Sequence, residues 1–253
     1  MGQPRGSGVL YNAPMELRPR AVTFDAGNTL LAADPPPETL YARTLSRHGR
    51  PVTAEEVRPV FARVWAHLQR TTPPGRDRYT SVEGGERQWW ARFVREVLEE
   101  LEHDAPWEVV LDELYAAFSD PGVWRVFPDV FPTLERLRAA GLRLGVVSNW
   151  DTRLPAILEG VGLTPHFDVI TVSALEGVEK PHPEIFARTV ERLGVPPDRV
   201  VHVGDSPRED YGGAETAGLV PLLVDRPGLF GDDGYRTVGD LESLPGLLGL
   251  DGR

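Results

Sequence analysis

From Pro128 onward the chain alternates between short apolar runs and helical patterns, and this rhythm constrains the fold more than any other feature. The apolar run at 142–147 stops at Ser148, the run at 167–172 at Ser173, and the run at 200–203 at Gly204 and Asp205, while 219–224 closes the series. Helical patterns fall between them, over 133–140 up to Gly141, over 154–161, over 183–193 and in the residues before Gly218. Strands that are apolar throughout, each followed by a helix, predict a parallel sheet covered on both faces, that is, a doubly wound α/β core of Rossmann-like type. An upstream run at 21–24 joins the set and ends at a carboxylate, Asp25. Right-handed crossovers carry every strand C-terminus to one edge, where open α/β sheets hold their ligands. Asp25, Ser148 and Asp205, each the first polar group beyond an apolar strand, are therefore expected to meet there.

Residues 35–122 break the rhythm. Pro35, Pro36 and Pro37 open the segment, and helical patterns follow with no convincing strand among them. Thr53 and Glu56 have capping-box spacing, after which Val57, Val60, Phe61, Val64, Trp65 and Leu68 recur on one helical face. Trp90, Phe93, Val94, Val97, Leu98 and Leu101 mark a second helix, and the segment from Pro106 to Phe118 a third. The segment is expected to be a helical insert packed on itself, with residues 20–34 and 123–253 forming the α/β core and 1–19 a loose arm in which Met15 is a candidate first folded residue. Five tryptophans (Trp65, Trp89, Trp90, Trp107 and Trp124) fall in or at the end of the insert and read as bundle core.

Charge and cysteine content then exclude whole classes of function. The insert holds 15 acids against 11 arginines, net −4, and the remainder 23 acids against 16 basic residues, net −7, so no basic module hides in the total of −11. Nucleic-acid binding through phosphate neutralisation is not expected. The absence of cysteine rules out disulfides, thiolate catalysis and thiolate-ligated metals. No run approaches the ~18 consecutive apolar residues of a membrane span. Arg5, Arg18 and Arg20 among Gly and Pro leave no apolar block that reads as a signal peptide, so a cytoplasmic address is expected. Of the 27 basic residues only Lys180 is a lysine.

Taken together, FDAGNTL at 24–30, VVSNWD at 146–151, EKPHPEIF at 179–186 and VGDSPRED at 203–210 resemble the haloacid dehalogenase-like hydrolase superfamily, whose four motifs occur in this order. The insert at 35–122 resembles the helical cap of the phosphoglycolate-phosphatase-like subfamily, and within that group the chain is similar to the REG-2-like proteins. The resemblance implies that Asp25 attacks phosphorus and carries an aspartyl-phosphate, splitting one difficult displacement into two easier ones. It also implies Mg2+, held by Asp25, Asp205 and the backbone carbonyl of Gly27, with Asp210 in or just behind that shell. Lys180 would supply positive charge to Asp25 and to the phosphoryl oxygens. Thr29, Ser148, Asn149 and backbone N–H groups after Asp25 would help to hold those oxygens. The implied substrate is a small phosphorylated metabolite.

Single members of this set have structural readings as well. Asp205 or Ser206 before Pro207 and Glu209 suits a helix N-terminus, Asp151 suits a cap, and His202 on a strand of valines reads as a satisfied interior histidine. It is the ordered set that structural needs do not predict.

The chain also departs from the family pattern. The usual first motif is DxDGT, whose second Asp protonates the leaving oxygen and later activates water; here that position is Gly27, and the following glycine is Asn28. Losing a general acid/base costs on the order of 10² to 10⁴ in rate. Three readings follow. The chain is a slow or selective phosphatase, acting on leaving groups that need little protonation or taking the proton from water or a cap acid such as Glu83 or Glu86. Alternatively it is an L-2-haloacid dehalogenase, since a leaving halide needs no proton. In the third reading it is a phosphate-binding or regulatory protein without useful turnover. Those dehalogenases need no metal, so the paired acids Asp205 and Asp210 favour phosphate. A phosphonatase-like reading is set aside because it calls for a lysine in the cap, and this cap has none.

Overall fold

A computed structural model of the chain describes residues 18–230 and 233–250. Most of the expected arm, residues 1–17 with Met15, lies outside the described residues. Strand β1 (Ala21–Phe24) leads into a short β2 (Leu31–Ala33). Four helices follow, α1 (Pro37–His48), α2 (Ala54–Thr71), α3 (Gly85–Glu100) and α4 (Trp107–Ser119). The chain returns through β3 (Trp124–Val126), which pairs antiparallel with β2, so a narrow two-stranded ribbon carries both crossings between the helices and the sheet. Next come α5 (Val130–Ala139), β4 (Arg143–Ser148), α6 (Leu154–Gly160), β5 (Val169–Val172), α7 (Ser173–Glu176) and α8 (Pro183–Leu193). After β6 (Val200–Gly204) a π-turn at Pro207–Gly212 runs into α9 (Gly213–Thr216), and β7 (Val220–Val224), β8 (Thr237–Val238) and α10 (Leu244–Leu247) complete the described chain.

The main sheet is parallel throughout, in the order β5-β4-β1-β6-β7-β8. Alternate residues of each strand feed two separate cores, which is what doubly wound means in contacts. Val22, Phe24, Leu144 and Val146 pack with Leu134, Leu137, Leu154 and Ile157 on one face, whereas Ala21, Val147 and Val200 pack with Ile185, Phe186, Val190 and Leu193 on the other. The insert has its own core, with Tyr41, Leu45, Val57, Val64, Phe93, Val97 and Leu114 among its buried residues. Its capping box is formed as expected: Glu56 N donates to Thr53 Oγ1 at 3.2 Å and Thr53 N donates to Glu56 Oε2 at 2.8 Å. No helix among the described residues is long and apolar enough to cross a membrane.

Differences from the sequence reading are local. Strands of two or three residues, β2, β3 and β8, are too short to show a period of two. The helix expected from Thr133 begins earlier, at Val130, and the one expected before Gly218 is a π-turn joined to a single α-turn. The strand expected from Phe167 starts at Val169.

One glycine decides where the sheet edge can host side chains. A Cβ at Gly204 would overlap the carboxyl of Asp210, so the strand end must lack a side chain for that carboxylate to sit against it. Gly204→Ala is expected to cost about 1–3 kcal/mol, the usual range for overpacking a dense site, read as a lowered midpoint in urea unfolding; an unchanged midpoint would contradict the close approach.

Candidate active site

The parallel register brings the strand ends level. Phe24 lies opposite Val146 of β4 and Val203 of β6, and Asp25 N donates to Val203 O at 2.9 Å, so Asp25 leaves the sheet between Ser148 and Gly204. Lys180 arrives from the loop between α7 and α8. Its ammonium is 2% exposed and donates to Asp25 Oδ1 at 2.7 Å and to Asp210 Oδ1 at 2.5 Å. Asp25, Asp205 and Asp210 each offer an oxygen within 4.8 Å of the others. Gly27 borders the same cavity. The next residue, Asn28, has φ +56°, the left-handed region that glycine occupies freely and Asn tolerates best among other residues. That is why Asn can stand where the family motif has Gly, and its amide reaches Asp205 Oδ2 at 3.4 Å.

The charges are unequally shared. Burial raises the Asp25 carboxyl to about 6 against the opposing pull of Lys180, with the Asp210 charge adding to the rise. Burial, then the charges of Asp25 and Asp210, raise Asp205 to about 7. For Asp210 burial also favours the neutral acid, but Lys180 and His202 outweigh it and hold this carboxyl well below the usual range. Lys180 shows the same competition reversed, since burial would lower its pKa and Asp210 and Asp25 carry it above the ordinary value. His202 is buried and kept below its usual pKa chiefly by that burial. Its Nε2 lies 3.1 Å from Asp210 Oδ1 and its Nδ1 2.9 Å from Thr23 Oγ1. A carboxylate only accepts, which assigns the proton to Nε2 and leaves Nδ1 to accept from the threonine hydroxyl. His202 is thus the satisfied interior histidine expected, and it braces Asp210.

Three hard carboxylate oxygens around one point, with a single ammonium among them, leave an excess of negative charge that a small divalent cation would offset. The donor set suits Mg2+, which takes a few carboxylates and completes its shell with water and phosphate oxygens. Asp25, Asp205, Asp210 and the Gly27 carbonyl are the groups that would hold it. The N–H groups of Ala26 and Gly27 have no backbone acceptor among the described residues and remain available to an anion.

Two of the expected phosphate ligands are placed differently. Asn149 borders the cavity, but both ends of its amide are hydrogen-bonded. Its Oδ1 accepts from Lys180 N at 2.7 Å and its Nδ2 donates to Lys180 O at 2.9 Å and Glu209 Oε2 at 3.0 Å, so the side chain clamps the lysine's backbone. Thr29 is fully buried and outside the cavity wall; its hydroxyl has no partner among the described residues and its carbonyl accepts from Arg226 Nη2 at 2.9 Å. Ser148 does line the cavity, and its hydroxyl lowers Asp25 as a hydrogen-bond donor. Of the two cap acids considered as proton carriers, Glu86 is spent on Tyr115 and on Thr152 of the core, and neither it nor Glu83 borders the cavity.

The cavity itself measures about 890 Å³ and is walled by the sheet edge on one side and the helical insert on the other. Two polar contacts fasten that seam, each joining an insert residue outside the four motifs to acids within them. Arg78, from the loop between α2 and α3, has a side chain only 1% exposed and donates through Nε to Glu179 Oε2 at 2.8 Å and through Nη2 to Glu209 Oε1 at 3.3 Å. Glu179 directly precedes Lys180, so the insert grips the loop that delivers the ammonium. Asp151, expected only to cap a helix, does accept from Arg153 N at 3.1 Å, but it also takes the Trp90 Nε1 donor at 2.8 Å and the Arg153 guanidinium at 2.5 Å. The bundle-core reading of the tryptophans holds for Trp89, which is 3% exposed, whereas Trp65, Trp90 and Trp124 border the cavity together with Trp150. Helical spacing identifies the apolar face of α2 and α3 without saying which part of it the sheet leaves uncovered.

Comparison with known proteins agrees with this geometry. Residues 19–218 match the family model "haloacid dehalogenase-like hydrolase". The chain is 35% identical over 217 residues to the haloacid dehalogenase-like hydrolase domain-containing protein 3 of Bos taurus, covering 83% of this chain and 84% of that one. It is 29% identical over 216 residues to the rhythmically expressed gene 2 protein of Drosophila melanogaster, covering 81% and 82%. Among solved structures, a HAD phosphatase from Thermococcus onnurineus superposes with a TM-score of 0.61 at 29% identity, over 91% of this chain and 98% of that one. With the parallel sheet, the strand-end acids and the buried lysine all in the family's order, the chain belongs to the haloacid dehalogenase-like hydrolases.

Proposed function

We propose that the protein is a Mg2+-dependent phosphatase of small phosphorylated metabolites, working through an aspartyl-phosphate on Asp25, with residues 35–122 serving as a cap over the sheet edge. The observation that carries the reading is the meeting of Asp25, Asp205 and Asp210 around the buried Lys180 ammonium. The likeness to a HAD phosphatase supports it. When bound, Mg2+ would neutralise charge on the phosphoryl group and on Asp25, letting two anions approach.

The residues of the chain account for the rest. Asp25 Oδ1 is occupied by the Lys180 ammonium at 2.7 Å, which fixes the carboxylate's orientation and leaves Oδ2 to attack. Attack forms the Asp25 O–P bond and breaks the bond between phosphorus and the ester oxygen, whose electron pair departs with the leaving group. Water then attacks phosphorus, its proton passes to solvent, and cleavage of the Asp25 O–P bond restores the carboxylate. Lys180, Ser148 and the N–H groups of Ala26 and Gly27 hold the transferred oxygens, while Arg78 and Asp151 keep the insert closed against water. No carboxylate stands at position 27 to give the leaving oxygen a proton.

The dehalogenase alternative has less support here. A 2-haloacid presents a carboxylate, and of the three arginines of the cavity wall two, Arg78 and Arg153, are already paired with Glu179, Glu209 and Asp151, while the third, Arg208, is exposed.

Phosphate release from p-nitrophenyl phosphate and acetyl phosphate, and chloride release from L-2-chloropropionate, each with and without Mg2+, separate the readings: metal-dependent phosphate release is expected, and metal-independent chloride release would replace this proposal with the dehalogenase. Asp25→Asn is expected to remove phosphate release altogether; turnover at the wild-type rate would dismiss Asp25 as nucleophile. Mg2+ is expected to raise the thermal midpoint of the wild-type protein but not of Asp205→Asn, a comparison made by calorimetry. Gly27 does not have a positive φ, and a Cβ there would meet Trp150 at an ordinary 3.4 Å, so an acid can be restored. Gly27→Asp should raise turnover of glycerol 3-phosphate, an alkyl ester whose leaving oxygen needs a proton, by about a hundredfold, the lower end of the general-acid range; no gain with Mg2+ binding intact would mean that substrate or solvent supplies the proton.

A further inference from the structure

Away from the acids, the cavity wall is built mainly from aromatic rings. Trp65 and Phe61 come from α2, Trp90 from α3, Phe118 from α4, Trp124 from β3 and Trp150 from the core loop after β4. These rings are held in place by one another and by their polar edges. Trp65 and Phe61 stack at 6.3 Å with an interplanar angle of 9°, and Trp124 meets Trp150 edge-on at 4.8 Å. The Trp90 N–H is spent on Asp151 at 2.8 Å and that of Trp124 on the Phe118 carbonyl at 3.1 Å, while that of Trp65 faces the Gln69 amide, whose oxygen accepts it at 2.8 Å once the amide is turned over. Such rings offer π surface at little cost in ordering and have no hydrogen bond to give.

Charge points the same way. Arg78 and Arg153, the cations among these rings, lie over Trp65 and over Trp90 and Tyr115, and both are tied to carboxylates. Arg208, exposed on the core loop between Asp205 and Asp210, belongs to the phosphate end. The aromatic end thus has no free charge with which to greet a carboxylate, a second phosphate or an amine; its polar groups are the hydroxyls of Tyr41 and Tyr79 and the Gln69 amide.

We propose, resting on the phosphatase reading above, that the substrates are phosphate monoesters of flat aromatic alcohols, the ring lodging among Trp65, Trp90, Trp124 and Trp150 while the phosphoryl group reaches Asp25. Leaving-group chemistry agrees independently. Phenols ionise near pH ~10, as the tyrosine side chain does, against ~15.7 for water, so a phenolate departs without the general acid that Gly27 cannot supply. Attack by Asp25 breaks the P–O(aryl) bond, the electron pair leaves on the phenolate oxygen, and that oxygen takes its proton from solvent; hydrolysis of the aspartyl-phosphate completes the conversion of ester and water to phenol and phosphate.

The test compares 1-naphthyl phosphate with glycerol 3-phosphate, both in Mg2+, by tryptophan-fluorescence titration of the Asp25→Asn protein and by kcat/KM of the wild type, with acetyl phosphate as a ring-free third substrate. Naphthyl phosphate is expected to bind at least about tenfold more tightly than glycerol 3-phosphate. In Trp65→Leu the ratio of kcat/KM for naphthyl phosphate to that for acetyl phosphate should fall about five- to tenfold, the scale of one aromatic contact, and Trp65→Phe should restore most of it. Because the ratio is taken within one protein, partial unfolding does not move it. Equal or tighter binding of glycerol 3-phosphate overturns the aromatic assignment whether or not either ester is cleaved. Failure to release phosphate from all three overturns the phosphatase reading, and the binding comparison still decides the question of the ring.

Discussion

A lysine ammonium buried between two carboxylates is the interaction on which the rest of the site depends. Desolvating Lys180, Asp25 and Asp210 is costly, and the cost is tolerable only because each partner offsets the charge of the next at hydrogen-bond distance. Removing one member would leave an uncompensated charge at the end of the central strand. This explains how much of the surrounding structure is spent on keeping the lysine in place: Asn149 holds its backbone from both sides, Glu179 beside it is gripped by Arg78, and His202 supports Asp210 from beneath. The site is a net anion even so, since Asp205 adds a third carboxylate whose proton affinity is raised by burial and by its neighbours. That imbalance is what makes a divalent cation a natural occupant.

The helical insert contributes differently. It brings no acid to the phosphoryl position, but it brings the cavity's aromatic wall and one half of the seam. Arg78 joins the insert to the Lys180 loop, while Trp90 and Glu86 join it to Asp151 and Thr152 at the end of β4. The insert and the Lys180 loop are therefore held together through the same side chains. The narrow β2–β3 ribbon carries both chain crossings, so the insert is tethered at one place and fastened at two others.

Much of the fold was legible in the sequence because its signals are local. Short apolar runs bounded by Gly, Ser or Asp and alternating with helical patterns read as buried parallel strands, and β1, β4, β6 and β7 lie within a residue or so of their expected bounds. Asp25, Ser148, Asp205, Asp210 and Lys180 were legible because strand ends and motif order point to them. How the Thr29 and Asn149 side chains are placed was not legible, for a physical reason: a motif says that a polar residue stands near the site but not which way its side chain turns. Arg78 has no motif, and its partner Glu179 lies 101 residues away.

The sequence by itself determined the doubly wound sheet, the helical segment inserted after its first strand, and the convergence of acids on one edge. These follow from periodicity and from the fixed hand of parallel crossovers, which need no knowledge of distant contacts. Only the tertiary structure decided that Asn149 serves the lysine, that Asp151 and Arg78 bind the insert to the core, and that the tryptophans of α2 and α3 divide between a core and a cavity wall. Those outcomes depend on how two separately packed bodies dock. Docking is set by shape and charge across the seam, to which residues far apart in the chain contribute and which no local pattern records.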